Sequence, residues 1–95
     1  MINRVEMAKG AHKEIQKAPQ QVRRKLALWI ETVKSIGLES TRQLSGYHDE
    51  PLQGIRKGQR SIRLNLQWRA IYRLKSDGTI EFVEIEEVTP HAYRP

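Results

Sequence analysis

Residues 51–75 read PLQGIRKGQRSIRLNLQWRAIYRLK, and this stretch decides the fold that the sequence predicts. Within it, apolar residues recur at every second position: Ile62, Leu64, Leu66, Trp68, Ala70, Tyr72 and Leu74. A period of two is typical of β-strands with one buried face. The stretch therefore predicts two neighbouring strands, joined by a tight connection near residues 65–67, with Arg63, Arg69 and Arg73 turned outward or into a groove.

The same stretch is strongly basic. Its seven positive charges, with no acidic residue among them, are Arg56, Lys57, Arg60, Arg63, Arg69, Arg73 and Lys75. The whole chain has a formal net charge of +6, so removing these seven leaves −1 for all other residues. The basicity is therefore local, and a basic sheet face predicts a polyanionic partner.

Length and composition restrict the class of protein. A chain of 95 residues, 38% hydrophobic and 29% charged, is expected to form one globular domain with a modest core. No apolar run approaches the roughly 20 residues of a membrane span, and charged residues interrupt the start where a signal peptide needs an apolar segment. Without cysteine there is no disulfide or thiolate metal site. We expect a cytoplasmic protein that needs no cofactor.

The basic charge leaves three classes of partner open, namely nucleic acid, an anionic membrane surface or an acidic protein. Amphipathic segments that bind membranes usually carry their Lys and Arg on a helix. Here the main cluster lies on a strand pattern, which disfavours a membrane partner.

Two helical patterns precede the basic stretch. Apolar positions on one face of the first helix are Met7, Ala8, Ala11, His12 and Ile15. Those of the second helix are Val22, Leu26, Trp29, Val33 and Ile36. Pro19 ends the first helix and suits the first turn of the second, and Gly37 is placed to cap the second helix. The pattern predicts a helical hairpin whose apolar seam faces the sheet.

The remaining segments complete the predicted order. Residues 2–6 predict a first strand, and residues 38–50 predict a loop in which Leu44 fills the core. Residues 76–78 predict a turn, and residues 80–88 predict an acidic last strand. The order predicts an α+β fold in which an N-terminal strand and a helical hairpin pack on one face of a small antiparallel sheet. The other face remains for function.

Several notable residues have an ordinary structural explanation. Arg63, Arg69 and Arg73 can pair with carboxylates of the acidic strand, each pair contributing roughly 0.2–1 kcal/mol. Seven basic residues outnumber the four carboxylates of that strand, however, so some of them remain for a ligand. We expect Trp29 and Trp68 to pack in the core, and His12 to be a packing residue on its helix.

Metal and nucleotide chemistry fit poorly, since the three histidines lack metal-ligand spacing and no phosphate-binding glycine loop is present. RNA can be cut without a metal when its 2′-hydroxyl attacks the adjacent phosphate. That reaction needs a base, an acid for the leaving 5′-oxygen, and positive charge at the phosphorane. Candidate groups beside the arginines are His48, Asp49, Glu50, His91 and Tyr93.

Two segments of the chain also resemble a known family. Residues 54–65, GIRKGQRSIRLN, and residues 67–72, QWRAIY, are similar to RelE/HigB-like toxins of the RelE/ParE toxin–antitoxin superfamily. The likeness lies in a basic glycine turn, an SIR-type strand and a WR-x-x-[FY] strand, and the predicted order of elements agrees along essentially the whole chain. The resemblance implies a toxin that cleaves mRNA on the ribosome as a metal-independent endoribonuclease.

The resemblance also assigns roles to single residues. Arg63 and Arg69 match family positions that contact the phosphate or the transition state, and Lys57 lies in a turn where the HigB-like branch has a basic active-site residue. His91 and Tyr93 resemble the C-terminal His and Tyr of the superfamily. In the shorter family members the tail directly ends the last strand, whereas here residues 87–90 intervene before His91. Where that branch can place a catalytic histidine, this chain has Glu50. Either His48 substitutes for that histidine or Glu50 is the base.

The implied partners are a cognate antitoxin that binds DNA, mRNA on the 70S ribosome, and operator DNA through the antitoxin. Beside Lys57, the basic residues that we expect to bind RNA are Arg56, Arg60 and Arg73. Two alternatives stay open: a ParE-like toxin that shares the fold and inhibits DNA gyrase, and an RNA-binding module without chemistry.

Overall fold

The computed structural model describes residues 1–90, which form helices on one side of a β-sheet. The helices are α1 (Lys9–Lys17), α2 (Gln20–Ile36) and the short α3 (Leu38–Arg42). The strands are β1 (Val5–Met7), β2 (Glu50–Pro51), β3 (Gln59–Arg63), β4 (Trp68–Ser76) and β5 (Glu81–Pro90). Single 3₁₀ turns occur at Ser45–Tyr47 and Gly54–Arg56. The predicted α+β class is confirmed.

The sheet has five strands in the order β1-β5-β4-β3-β2. Strands β2 to β5 pair antiparallel, as the predicted meander requires, whereas β1 runs parallel to β5. The predicted N-terminal strand therefore exists, but it extends the sheet and makes it mixed rather than purely antiparallel. A parallel neighbour needs a long connection, and the two helices and the meander supply it.

The core lies between the helices and the sheet. Val22, Leu26, Trp29 and Val33 of α2 are buried, which confirms these positions of the predicted apolar seam. The prediction is wrong for Ile36, which is 43% exposed. The Trp29 ring packs on the Tyr72 ring of β4, with 5.2 Å between centroids and 46° between planes. Trp68 is partly buried against the same cluster, as expected.

Glycine is required where α2 ends. Gly37 has φ +87° and ψ 161°, a backbone conformation that is open essentially to glycine alone. Its amide donates to the Val33 carbonyl and closes the helix. The predicted cap is confirmed, and it lets the chain turn directly into α3.

Several expectations for the segments before β2 are wrong. Residues 38–50 are not a loop, because α3 and a 3₁₀ turn occupy much of the segment. The buried side chains there are Leu38, Thr41 and Tyr47, whereas Leu44 remains 42% exposed and does not fill the core. Thr41 holds α3 to the end of α2 through its hydroxyl, which donates to the Gly37 carbonyl at 2.7 Å. His12 is exposed on α1 and is not a packing residue.

The turn between β3 and β4 interrupts the alternating pattern. The Asn65 side chain accepts hydrogen bonds from the amides of Gln67 and Trp68, both at 2.8 Å. This turn leaves Leu66 85% exposed although its position in the pattern predicts burial. In residues 1–90, none of the helices is long and apolar enough to cross a membrane.

Candidate nucleic-acid interface

Helices α1 to α3 lie on one side of the sheet, and we call its other face, within residues 1–90, the open face. Cross-strand partners project from the same side, so the register identifies its residues. Three rows cross strands β3, β4 and β5: Arg63–Arg69–Thr89, Ser61–Ile71–Glu87 and Gln59–Arg73–Glu84. The residues between them, including Ile62, Ala70 and Ile85, belong to the core on the helix side.

Arg63 and Arg69 lie directly opposite each other at one end of this face. Directly opposed like charges repel and destabilise a strand pair. Within residues 1–90, neither guanidinium has a carboxylate partner, and the buried Nε of Arg63 has no hydrogen-bond acceptor. Arg69 donates only to the backbone carbonyls of Asn65 and Trp68, at 3.0 and 3.3 Å. Within the described residues, no carboxylate therefore offsets the positive charge of this pair.

The other end of the open face is largely neutralised. Arg56 bonds both oxygens of Glu87, with its Nη1 2.8 Å from Oε2. Arg73 contacts Glu86 at 3.4 Å, and Lys75 contacts Glu84 at 3.3 Å. Pairing with the acidic strand is thus confirmed for Arg73 but does not occur for Arg63 or Arg69 in the described part of the chain.

Glu86 is held by a second donor as well. The Gln59 amide nitrogen lies 2.8 Å from the Glu86 oxygen that Arg73 also contacts. Burial raises the pKa of Glu86, but the hydrogen bond from Gln59 and the charge of Arg73 outweigh burial and hold that pKa below its ordinary value. The Glu86 carboxylate therefore stays ionised beside Arg73.

The Arg56–Glu87 ion pair joins the segment before β3 to β5. Arg56 precedes β3 and Glu87 lies on β5, so the pair spans the strand between them. Ser61 and Ile71, in the row that ends at Glu87, are 2% and 0% exposed although no helix packs on that side. Arg56 thus has a structural contact in addition to its predicted role.

Arg60 lies apart from the other predicted RNA-binding residues. It pairs with Tyr72 in the register and projects to the helix side of the sheet. Its Nε donates to Asp49 at 2.6 Å, and the Tyr72 hydroxyl donates to the other oxygen of Asp49 at 2.5 Å. The Asp49 side chain is fully buried. Burial and the bond to Asp49 raise the pKa of the Tyr72 phenol far above its ordinary value.

The register distinguishes the two alternatives for a base on this side. Glu50 pairs with Ser61, so it lies on the open face, diagonal to Arg63. His48 is exposed at the end of the Ser45–Tyr47 turn, with a positive φ of 47°, and belongs to no strand. Glu50 therefore lies on the open face, whereas no strand register positions His48. Lys57 is exposed in the turn just before β3.

The two C-terminal candidates, His91 and Tyr93, lie outside the described residues. Strand β5 reaches Pro90, which pairs with Trp68, and Thr89 pairs with Arg69. The described chain thus ends beside the Arg63–Arg69 pair.

Sequence reasoning missed two features of the site. Gln59 was not a candidate, although it is the donor that holds Glu86 on the open face. Asp49 was considered only as part of the chemistry, whereas its carboxylate is an anchor for Arg60 and Tyr72 on the other face. The alternation of β3 could have indicated that Arg60 and Arg63 face opposite sides.

Nothing in residues 1–90 groups three or more His, Asp or Glu side chains in a way that could hold a metal ion. The arrangement is instead a sheet face with an unneutralised arginine pair at one end, a carboxylate on the edge strand and an ion-pair network at the other end.

Comparisons with known proteins find similarity in structure rather than in sequence. No protein-family description and no curated protein sequence matches the chain. The YoeB/ParE toxin from Agrobacterium tumefaciens has a TM-score of 0.70 at 19% identity, covering 93% of this chain and 98% of its own. RelE in the archaeal RelE–RelB complex from Pyrococcus horikoshii OT3 has a TM-score of 0.70 at 18% identity, covering 99% of this chain and 100% of its own.

The E. coli DinJ–YafQ toxin–antitoxin complex contains a chain that is 28% identical, with a TM-score of 0.63 and 96% coverage of both chains. These neighbours span the whole domain, and their fold agrees with the motif resemblance of residues 54–72. By its fold, the chain is similar to toxins of the RelE/ParE-like superfamily.

Proposed function

We propose that the protein is the toxin of a type II toxin–antitoxin system and cleaves mRNA on the ribosome. The observation that supports this most is the Arg63–Arg69 pair, two opposed guanidinium groups without a carboxylate partner in residues 1–90. Such a pair is costly to the fold and is explained by an anion that binds between or above the two side chains. Planar guanidinium groups bind phosphate through paired hydrogen bonds.

The proposed reaction is attack of the RNA 2′-hydroxyl on the adjacent phosphate. The phosphorane that forms carries extra negative charge, and arginines placed in advance stabilise it more than the ground state. Removal of one such donor typically lowers a rate by about 10²- to 10³-fold. No metal is needed because the attacking group is part of the substrate.

We infer that Glu50 takes the proton of the 2′-hydroxyl, because the register places it on the open face diagonal to Arg63. For the acid that protonates the leaving 5′-oxygen we propose His91 or Tyr93. His91 follows Pro90 directly in the sequence. Pro90 pairs with Trp68, next to Arg69. Lys57 and Arg73 would contact flanking phosphates.

The proposed partners follow from the same assignment. RelE with RelB and YafQ with DinJ were each solved as a complex. We propose that this chain likewise binds a cognate antitoxin, a DNA-binding protein that brings the pair to operator DNA. Free toxin would act in the cytoplasm on ribosome-bound mRNA.

The proposal is tested by expressing the protein from a tight promoter and mapping mRNA 5′ ends during growth arrest. We expect cuts within translated codons for the wild type and for Arg24→Ala, which removes an exposed arginine on α2. We expect loss of the cuts and of the arrest for Arg63→Ala, Arg69→Ala and His91→Ala. Unchanged toxicity in these three variants would contradict the assignment.

A second candidate is a ParE-like toxin that inhibits DNA gyrase. It is favoured by the similarity to a protein described as a YoeB/ParE toxin. In the same experiment this function would give a DNA-damage response while mRNA stays intact.

A further inference from the structure

We propose that Glu86 and Glu87 weaken the affinity of the open face for free RNA, so that the protein acts on RNA held by a larger partner. The inference rests on the proposed function. It starts from the ion-pair network, which uses two of the arginines that a phosphate backbone would otherwise contact.

Glu87 is a strong competitor for Arg56. The two groups form a paired contact, with Nη1–Oε2 at 2.8 Å and Nη2–Oε1 at 3.3 Å. The Arg56 and Glu87 side chains are only 18% and 33% exposed, so water screens them less than a surface pair. A phosphate that contacts Arg56 must displace a carboxylate of similar geometry, and little free energy is gained by the exchange.

Glu86 has the same effect on Arg73. Its carboxylate is fixed by Gln59 at 2.8 Å, so it does not turn away easily when a phosphate approaches Arg73. The Arg73 side chain is 39% exposed and remains within reach of solvent ions. Removing the charge of Glu86 while keeping its shape should therefore release Arg73 for a phosphate.

The consequence is that the protein discriminates between free RNA and RNA that a larger assembly holds in place. A free single strand meets the unneutralised Arg63, Arg69 and Lys57, and it gains little from Arg56 and Arg73. An RNA delivered by a large assembly is already held close, so the weak intrinsic affinity is no obstacle to cleavage. The ion-pair network would therefore keep the affinity of this basic protein for free cellular RNA low.

The test uses a fluorescent single-stranded RNA whose 2′-oxygens are methylated, which blocks cleavage. Fluorescence anisotropy gives Kd for the wild type, Glu86→Gln, Glu87→Gln and Glu81→Gln. Glu81 is the matched control: it lies exposed at the far end of β5, pairs with Ser76 on the helix side, and has no ion pair within residues 1–90. Thermal denaturation checks that each variant folds. If only one of Glu86→Gln and Glu87→Gln folds, that variant alone is enough for the test.

We expect Glu86→Gln and Glu87→Gln to bind this RNA about fivefold more tightly at 0.1 M salt. Each phosphate contact that a variant gains makes the slope of log K against log salt more negative by about 0.7, and this change corresponds to about fivefold in K between 1 M and 0.1 M salt. Glu81→Gln should differ little from the wild type. Equal affinities of the network variants and Glu81→Gln would overturn the proposal.

A further variant, Arg69→Ala, separates this result from failure of the proposed function. If Arg69→Ala weakens binding while the network variants do not tighten it, the RNA site stands and only the competition is wrong. If Arg69→Ala leaves binding unchanged, the arginine pair is not an RNA site, and both proposals are overturned.

Discussion

At the scale of single residues, one network fixes the edge of the sheet. Asp49 is fully buried and accepts hydrogen bonds from Arg60 and Tyr72, and Arg42 of α3 reaches the Tyr72 hydroxyl at 3.4 Å. Strand β2 begins at the next residue, Glu50, and is only two residues long. So short a strand has few hydrogen bonds of its own, and the Asp49 anchor therefore holds Glu50 in place on the open face.

We predict that Tyr72→Phe destabilises the fold by about 1–3 kcal/mol, because it leaves a buried carboxylate with one donor fewer. The free energy of unfolding in urea measures this effect. Tyr47→Phe is the control, since Tyr47 is also buried but its hydroxyl makes no hydrogen bond within the described residues. An equal loss for both variants would show that the Asp49 bond does not matter.

At the scale of elements, the sequence predicts the helices and strands that have a local pattern of apolar residues. The spacing of Val22, Leu26, Trp29 and Val33 and the positions of Pro19 and Gly37 predict α2 and its ends, and the structure confirms them. The five-residue α3 is too short for a periodic pattern, so it was predicted as loop. An irregularity in the β4–β5 register at Ile71/Tyr72 cannot be seen in the sequence either, yet it decides which glutamates meet which arginines.

The end of α2 gives a prediction at this scale. Gly37→Ala should destabilise the protein by roughly 1–3 kcal/mol, because alanine strongly disfavours φ +87° with an extended ψ. The added Cβ would also lie 2.6 Å from Met1 Cγ. Thermal and urea unfolding provide the measurement.

Gly10→Ala in α1 is the matched control. Nothing lies within 4 Å of its added Cβ, and alanine favours a helix, so this variant should be as stable as the wild type or more so. If Gly37→Ala were as stable as Gly10→Ala, the strained cap would not be needed.

At the scale of the whole molecule, the number of clustered positive charges in the sequence is larger than the number left without a carboxylate partner on the surface. The sequence shows seven clustered positive charges, but the fold turns Arg60 to the other face and pairs Arg56, Arg73 and Lys75 with glutamates. Such pairing depends on strand order and register, which composition does not contain. What remains without a carboxylate partner, within the described chain, is the Arg63–Arg69 pair on the open face and the exposed Lys57 in the turn before β3.

This distribution predicts a weak dependence of RNA binding on salt. Three phosphate contacts, from Lys57, Arg63 and Arg69, give a slope of about −2 for log K against log salt with single-stranded RNA, whereas seven contacts would give about −5. Anisotropy titrations of the wild type across a salt series measure the slope. A slope near −5 would mean that the glutamates do not compete, and that the network opens on binding.

The most direct test of the proposed ribonuclease activity is a cleavage assay with purified protein and translating ribosomes. Attack by the 2′-hydroxyl leaves a 2′,3′-cyclic phosphate on one fragment and a 5′-hydroxyl on the other. We predict these ends for the wild type and for Arg24→Ala, with the rate lowered by about 10²-fold or more in Arg63→Ala and Arg69→Ala. Fragments with 5′-phosphate ends, or an undiminished rate in both arginine variants, would contradict the account.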